Sequence, residues 1–299
     1  MNNNKINKGA LLVILAGACW GSISIYIKYL DSAGLGTMQI SFLKQMLSSV
    51  IFSLIIFIRD RTRFRIELKD LWLIMLAGLI NGVVFNSLYF YTIVHSRASI
   101  AVVLLYTSPV FVIILARIFF GEKITGPKLL ALILTVIGCV LVTGVLGDGY
   151  MPPAAAMVTG VLTGLAYALY NIFTSKAVRK NDPQTVTLYT LLFSFIFMIP
   201  FSGFGMLVPL VKANPAILAV TFMLSLVTSV AAQYFFAAGL KLIESGKAAI
   251  YGASEPIVGA LVGILIFHEE TNFLKIAGIV MVVTAIVIIG RNDSGTSDN

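Results

Sequence analysis

The sequence predicts an all-α membrane protein whose ten transmembrane helices form two inverted five-helix repeats. Three observations lead to this fold class. Hydrophobic residues make up 59% of the 299 residues and charged residues only 11%, whereas soluble domains carry about 25% charged residues. The apolar residues form ten runs of membrane-spanning length, and the second half of the chain repeats features of the first at a constant offset.

The ten apolar runs follow one another with short polar connections. Each is close to the ~20 residues that a helix needs to cross the hydrocarbon core of a bilayer. Unbroken apolar stretches such as 136–145 and 276–289 lack the alternation of β-barrel strands, which favours helices. The predicted spans are 9–29, 37–58, 71–93, 98–119, 128–146, 154–177, 184–204, 216–240, 247–267 and 273–290.

The repeat is visible in the spacing of prolines and glutamates. Glu122 lies thirteen residues after Pro109, and Glu269 lies thirteen residues after Pro256, with an offset of 147 between the two pairs. The same offset carries Trp20 onto Tyr167 and Asn86 onto Gln233. The sequence therefore predicts a first repeat at 1–146, a link at 147–153, a second repeat at 154–291 and a disordered polar tail at 292–299.

The loop charges predict the orientation. If the N-terminus is cytoplasmic, sixteen of the 21 Lys and Arg residues lie on the cytoplasmic side and four on the outer side, as the positive-inside rule requires. Five helices per repeat is an odd number, so the second repeat enters the membrane inverted. These features predict a multi-pass protein of a bacterial plasma (inner) membrane with both termini cytoplasmic.

Several classes of function are disfavoured. The net charge of +8 comes from basic residues in short loops, without the motifs of a nucleic-acid-binding protein. Cys19 and Cys139 lie inside apolar segments and match no metal-binding spacing. The motifs G-x-S-x-G, H-E-x-x-H and Walker A are absent from the sequence. We therefore expect no enzyme activity, catalytic residue, cofactor, metal site or nucleic-acid partner.

The motifs of this chain resemble the ten-helix EamA-type branch of the drug/metabolite transporter superfamily. They are Ala-Cys-Trp-Gly at 18–21, Tyr-Thr-Ser-Pro at 106–109, Phe-Gly-Glu-Lys-Ile-Thr at 120–125, Ser-Glu-Pro at 254–256 and Phe-His-Glu-Glu-Thr at 267–271. The resemblance covers about residues 9–290 and implies an inner-membrane carrier of small metabolites, often an exporter of amino acids. Lys44 departs from it, since such proteins often place an arginine in the second helix.

Glu255 and Lys44 are the two charged residues predicted within the membrane. An ionised carboxylate at mid-depth is costly, so it usually faces a cavity or a partner. Pro256 directly follows Glu255 and weakens the helix there, which suits the binding of a cation, an amine or a proton. Lys44 could hold a substrate carboxylate, pair with Glu255 or extend towards the interface. Together they suggest a zwitterionic substrate.

Other polar and aromatic residues are weaker candidates for contact with the substrate, because packing between helices explains them as well. Pro109 and Pro256 are predicted to break their helices. Glu122 and Glu269 are expected to be structural, neutralising the start of the next helix or gripping a loop. The remaining candidates for substrate binding are Trp20, Asn86, Tyr89, Tyr106, Tyr167, Asn171 and Gln233.

The sequence thus predicts a secondary transporter that exports small polar or zwitterionic metabolites, such as amino acids, by alternating access. An organic-cation or drug exporter is the alternative in the same class. An integral membrane enzyme or a lipid-handling protein is the alternative from another class. The expected partners are a small-molecule substrate and the lipid bilayer, while proton coupling and the choice between monomer and homodimer stay open.

Overall fold

The fold is a bundle of helices joined by short turns. A computed structural model describes residues 3–96, 98–143, 151–268 and 271–295, and within these residues all regular structure is helical. The main helices are α1 (Lys5–Ser32), α2 (Thr37–Arg59), α3 (Leu68–His95), α4 (Ile100–Phe120), α5 (Gly126–Val142), α6 (Ala154–Lys180), α7 (Pro183–Phe201), α8 (Ala216–Leu240), α9 (Ser245–Leu265) and α10 (Phe273–Gly295). The predicted all-α membrane fold is confirmed.

The helix lengths agree with membrane crossing. In the described part of the chain nine of the ten helices are long and apolar enough to span a bilayer. The exception is α5, whose 17 residues extend about 26 Å. A short helix at Phe204–Ala213 connects α7 to α8, where the sequence had suggested only a loop.

Several boundaries differ from the sequence expectations. Helix α10 continues to Gly295, four residues into the segment predicted as a polar tail, and residues 296–299 lie outside the described residues. Helix α6 ends at Lys180 rather than at 177, because basic residues in a last turn favour the negative end of the helix dipole. Glu269 and most of the predicted link also lie outside the described residues.

The packing of the helices repeats with the sequence. Helix α1 packs against α8 and α9, and the equivalent helix α6 packs against α3 and α4. Helix α2 packs against α7, and α5 packs against α10. Each contact is therefore reproduced when the repeats are exchanged, so the two five-helix repeats are inverted copies around a shared centre. Helices α1, α3, α4, α6, α8 and α9 surround that centre.

Four helices of the central group depart from regular α geometry at equivalent positions. Helix α4 is interrupted before its second segment Ser108–Phe120, and α9 is interrupted before Ser254–Leu265. In both second segments a proline occupies the first turn, where its missing N–H costs little. Helices α3 and α8 each contain a π-helical turn, at Ile80–Val84 and Leu226–Ala231.

Two glycines allow the neighbouring helices to approach these interruptions. A Cβ atom on Gly17 of α1 would lie 2.9 Å from the backbone oxygen of Gly252 in α9. A Cβ atom on Gly164 of α6 would lie 3.2 Å from the backbone oxygen of Leu104 in α4. Small residues permit such close contact between membrane helices. Each repeat therefore brings its first helix against the broken helix of the other repeat.

Candidate functional site

A pocket lies where the two broken helices and α6 meet. Its enclosed volume is about 20 Å³, roughly the room that one water molecule needs. The interruptions supply most of its wall, because they expose backbone and turn side chains inward. The lining residues are Leu105, Tyr106, Ser108 and Pro109 from α4, Tyr167 from α6, and Ala249, Gly252, Ala253 and Glu255 from α9.

Glu255 is the charged residue among those that line the pocket. It lies in the first turn of the second segment of α9, where unpaired backbone N–H groups favour a negative charge. Tyr106 and Tyr167 line the same pocket. Two further predicted substrate residues thus share the pocket with the carboxylate.

Aromatic rings extend the pocket wall from α6 towards α1 and α3. The rings of Trp20 and Tyr167 lie 6.2 Å apart in an edge-to-face arrangement. Phe85 lies 6.2 Å from Tyr167 and stacks on Tyr89 at 5.5 Å. Such spacings are typical of stabilising aromatic pairs, so the wall is rigid and presents ring faces near a carboxylate.

Trp20 and Asn86 also form polar contacts with the π-helical turns. The Trp20 Nε1–H donates to the backbone oxygen of Thr228 in α8 at 3.0 Å. The Asn86 amide nitrogen donates to the backbone oxygens of Gly82 at 2.6 Å and Asn81 at 3.2 Å. A π turn leaves carbonyl groups without regular partners, and these two side chains satisfy them. In this conformation the Asn86 amide nitrogen therefore donates to backbone oxygens of its own helix.

Lys44 lies apart from the pocket. It does not belong to the residues that line the pocket, and in the described structure no ion pair within 4 Å joins it to Glu255. Its backbone oxygen accepts a hydrogen bond from Ser225 Oγ at 3.1 Å, which ties α2 to α8. Direct pairing of Lys44 with Glu255, one alternative left open by the sequence, is not observed.

Two predicted amide side chains are buried in the helical core. Asn171 is fully buried on α6, and neither its Nδ2 nor its Oδ1 finds a partner among the described residues. Gln233 is buried on α8, and its Oε1 also has no hydrogen-bond partner among the described residues. Unpaired buried amides are costly, so both positions call for a role beyond packing.

A second polar cluster, which was not predicted from the sequence, joins the end of α4, α5 and the start of α9. The Glu122 carboxylate accepts from the backbone N–H of Ser245 at 2.8 Å and of Gly246 at 3.1 Å. Lys128 Nζ lies 3.1 Å from Glu122 Oε2 and 3.0 Å from Glu244 Oε2. Glu122 thus has the structural contacts that were expected of it, but it grips the start of α9 rather than a loop or the start of the next helix α5. A repeated Glu-x5-Lys spacing, at 122–128 and 269–275, could have signalled it.

Known transporters resemble this chain over almost its whole length. The EamA-like transporter family matches twice, at residues 7–144 and 154–291. An uncharacterized transporter of Archaeoglobus fulgidus is 26% identical over 95% of this chain and 96% of its own length. The pseudopaline exporter CntI of Pseudomonas aeruginosa is 22% identical, with 97% and 98% covered. The riboflavin transporter of Brucella anthropi is 23% identical, with 95% and 99% covered.

One solved crystal structure superposes on 94% of this chain and 96% of its own with a TM-score of 0.77. Its sequence identity is 11%, so it shows the shared fold alone. The two family matches coincide with the two structural repeats and leave the link between them uncovered. Together with the broken helices and the pocket between them, this shows that the chain is a multi-pass membrane protein that belongs to the EamA-like transporter family.

Proposed function

We propose that this protein is a secondary transporter that exports a small polar or zwitterionic metabolite, such as an amino acid, across the bacterial plasma membrane by alternating access. The observation that carries the proposal is the Glu255 carboxylate, which lines a pocket between the two inverted repeats. Substrate sites of transporters with inverted repeats typically lie at the repeat interface, beside interrupted helices.

The pocket suits the amino group of such a substrate. A carboxylate pairs with a primary amine through charge-assisted hydrogen bonds, and the nearby rings of Tyr106 and Tyr167 add cation–π attraction. In the zwitterionic form of the proposal Lys44 binds the substrate carboxylate in another conformation of the cycle, because it does not line the pocket in this one.

The names of the relatives support transport of a small metabolite and differ in the substrate. One relative is a pseudopaline exporter and another is a riboflavin transporter. Both cover almost the whole of this chain, so a similar two-repeat scaffold serves different solutes. Export, amino-acid specificity and cytoplasmic termini belong to our proposal.

An organic-cation exporter is the second candidate. It is favoured by the charge of the pocket, where Glu255 is the charged lining residue and Lys44 is absent. In this version Glu255 carries the binding and Lys44 has a structural role. The two candidates differ in whether a carboxylate on the ligand helps or hinders binding.

Thermal unfolding of the purified protein with a panel of amino acids, quaternary amines, nucleosides and sugars tests both candidates. A ligand that binds only the folded state raises the free energy of unfolding by mass action, by about 2.7 kcal/mol at one hundred times its Kd, and the unfolding midpoint rises with it. We expect a shift with zwitterions that is lost in Glu255→Gln and retained in Glu67→Gln, which alters an exposed ion pair with Lys69. A shift with quaternary amines alone would establish the second candidate.

Flux in proteoliposomes then tests transport itself. We expect uptake or release of the ligand identified by thermal unfolding, and an imposed pH gradient that accelerates the flux would add proton coupling. Binding without any flux, or chemical turnover of the ligand, would refute the transporter proposal and favour a membrane enzyme.

A further inference from the structure

One face of α6 connects the pocket with the Glu122 cluster. Tyr167 lines the pocket, and the Ser175 hydroxyl accepts a hydrogen bond from Ser245 Oγ at 2.8 Å. Asn171 lies midway between them. Residues four apart differ by only about 40° around a helix, so these three side chains share one face, over about 12 Å of helix length.

The helices that flank this face are α4 and α9, and both run from the pocket to the cluster. Helix α4 contributes Pro109 to the pocket and is followed by Glu122. Helix α9 contributes Ala249 to the pocket and begins at Ser245. Between the two ends, the apolar side chains of Val112, Ala168 and Ala249 pack together and fill the space.

The Glu122 cluster joins the two repeats at this end of the bundle. Glu122 and Lys128 belong to the first repeat, while Ser245, Gly246 and Glu244 belong to the second. The Glu122 and Lys128 side chains are 6% and 3% exposed, and both backbone N–H donors belong to the start of α9. Separating α4 from α9 would break the two hydrogen bonds from the start of α9 to Glu122 and the Lys128–Glu244 ion pair together.

The Asn171 side chain lacks hydrogen-bond partners in this structure, in which α4 and α9 are in contact. Its amide nitrogen and oxygen are both without partners among the described residues. A fully buried amide without hydrogen bonds is destabilising. Water, or a polar ligand passing along the face, would supply those partners if the helices moved apart.

We propose that the route between the Glu255 pocket and the predicted cytoplasmic surface runs along this face of α6, between α4 and α9, and that the Glu122–Lys128 cluster holds it closed. Opening requires α9 to leave Glu122, which exposes Asn171 to water. The inference rests on the proposed transport function, since it describes how the substrate reaches the site.

Cysteine accessibility tests the route without measuring transport. Asn171→Cys is made in a background where Cys19 and Cys139 are replaced by alanine, and the protein is placed in lipid nanodiscs, which leave both faces reachable. A charged, membrane-impermeant thiol reagent measures the labelling rate. We expect Glu122→Gln to raise that rate at least about tenfold, because removing one partner of a buried ion pair strongly disfavours the closed state.

Two controls make the result specific. Glu67→Gln removes one partner of an exposed ion pair and should leave the labelling rate unchanged. Ala166→Cys, at a buried residue five positions before Asn171 and about 140° around α6 from it, should stay protected in the Glu122→Gln protein. Ala168→Cys, in the apolar cluster on the route, replaces Asn171→Cys if the latter does not elute as a folded protein in gel filtration.

An unchanged labelling rate in Glu122→Gln, or equal labelling at positions 171 and 166, would overturn the inference. Either result would leave the binding and flux tests of the proposed function unaffected. Conversely, an opened route in a protein without flux for any tested solute would keep the inference about the route and refute the transport proposal.

Discussion

Two buried carboxylates in the same bundle have opposite surroundings. Glu122 accepts two backbone N–H bonds and pairs with Lys128. Glu255 faces a pocket whose other polar side chains are tyrosine and serine hydroxyls, and in the described part of the chain no cation lies within salt-bridge distance of it. A carboxylate whose hydrogen-bond and charge partners are all present stabilises this structure. A carboxylate that lacks such partners can still form these interactions with a ligand.

The largest expected effect is a difference in the free energy of unfolding between variants of the two carboxylates. Glu122→Gln should lower the free energy of unfolding by about 3–5 kcal/mol, because it leaves Lys128 as a buried charge with only Glu244 nearby. Glu255→Gln should cost nothing or be slightly stabilising, because it removes a buried charge without breaking an ion pair. Chemical denaturation in detergent measures both, and equal losses would contradict the comparison.

The second prediction concerns the position of the pocket charge. Ser108 is the equivalent of Glu255 in the first repeat and lines the same pocket. Glu255→Ser should weaken ligand binding about 100-fold, as the loss of a charge-assisted contact implies. Adding Ser108→Glu should recover about tenfold of that loss, since a carboxylate again faces the pocket. Calorimetric titration with the identified ligand measures this, and no recovery would mean that only α9 places the charge correctly.

The third prediction compares the two close helix contacts. Gly17→Ala should cost about 1–3 kcal/mol through overpacking, and Gly164→Ala should cost less. The added Cβ would lie 2.9 Å from a backbone oxygen in the first case and 3.2 Å in the second. Gly126→Ala is the control, because nothing lies within 4 Å of its Cβ position. Unfolding midpoints rank the three variants, and a larger loss for Gly164→Ala would reverse the comparison.

The smallest expected effect concerns the π turn of α8. Trp20→Phe keeps an aromatic ring but removes the bond from Nε1 to the Thr228 oxygen. We expect a loss of about 1 kcal/mol of stability, the typical net value of one hydrogen bond. Trp72→Phe, at a half-exposed indole on α3, serves as the control. A loss of equal size in both variants would argue that ring volume, not the bond, is responsible.

Features that depend on local spacing could be predicted from the sequence. The prolines at 109 and 256 mark the interruptions, since a proline within an apolar helix removes a donor and clashes with the preceding turn. The constant offset of 147 predicted the equivalence of α1 with α6 and of α3 with α8. For the same reason Glu255, directly before Pro256, and Tyr106, three residues before Pro109, could be selected as candidates.

Features that depend on contacts between distant segments could not be predicted. Glu122 is 123 residues from Ser245, and nothing in the local pattern identifies which N-terminus it reaches. Lys44 and Glu255 attract attention as opposite charges, yet α2 packs against α7 and α8, a long-range arrangement that the local sequence does not reveal. The π turns have no composition signal, so the partners of Trp20 and Asn86 were invisible in the sequence.

The π turns also bear on how the two repeats arose. A π turn corresponds to one extra residue within an α-helix, and an insertion in one repeat alone would shift every later equivalence by one. The offset is 147 before the turns, between Gly17 and Gly164, and still 147 after them, between Pro109 and Pro256. The equal offsets are those expected if the extra residue was already present in a single five-helix ancestor before its duplication.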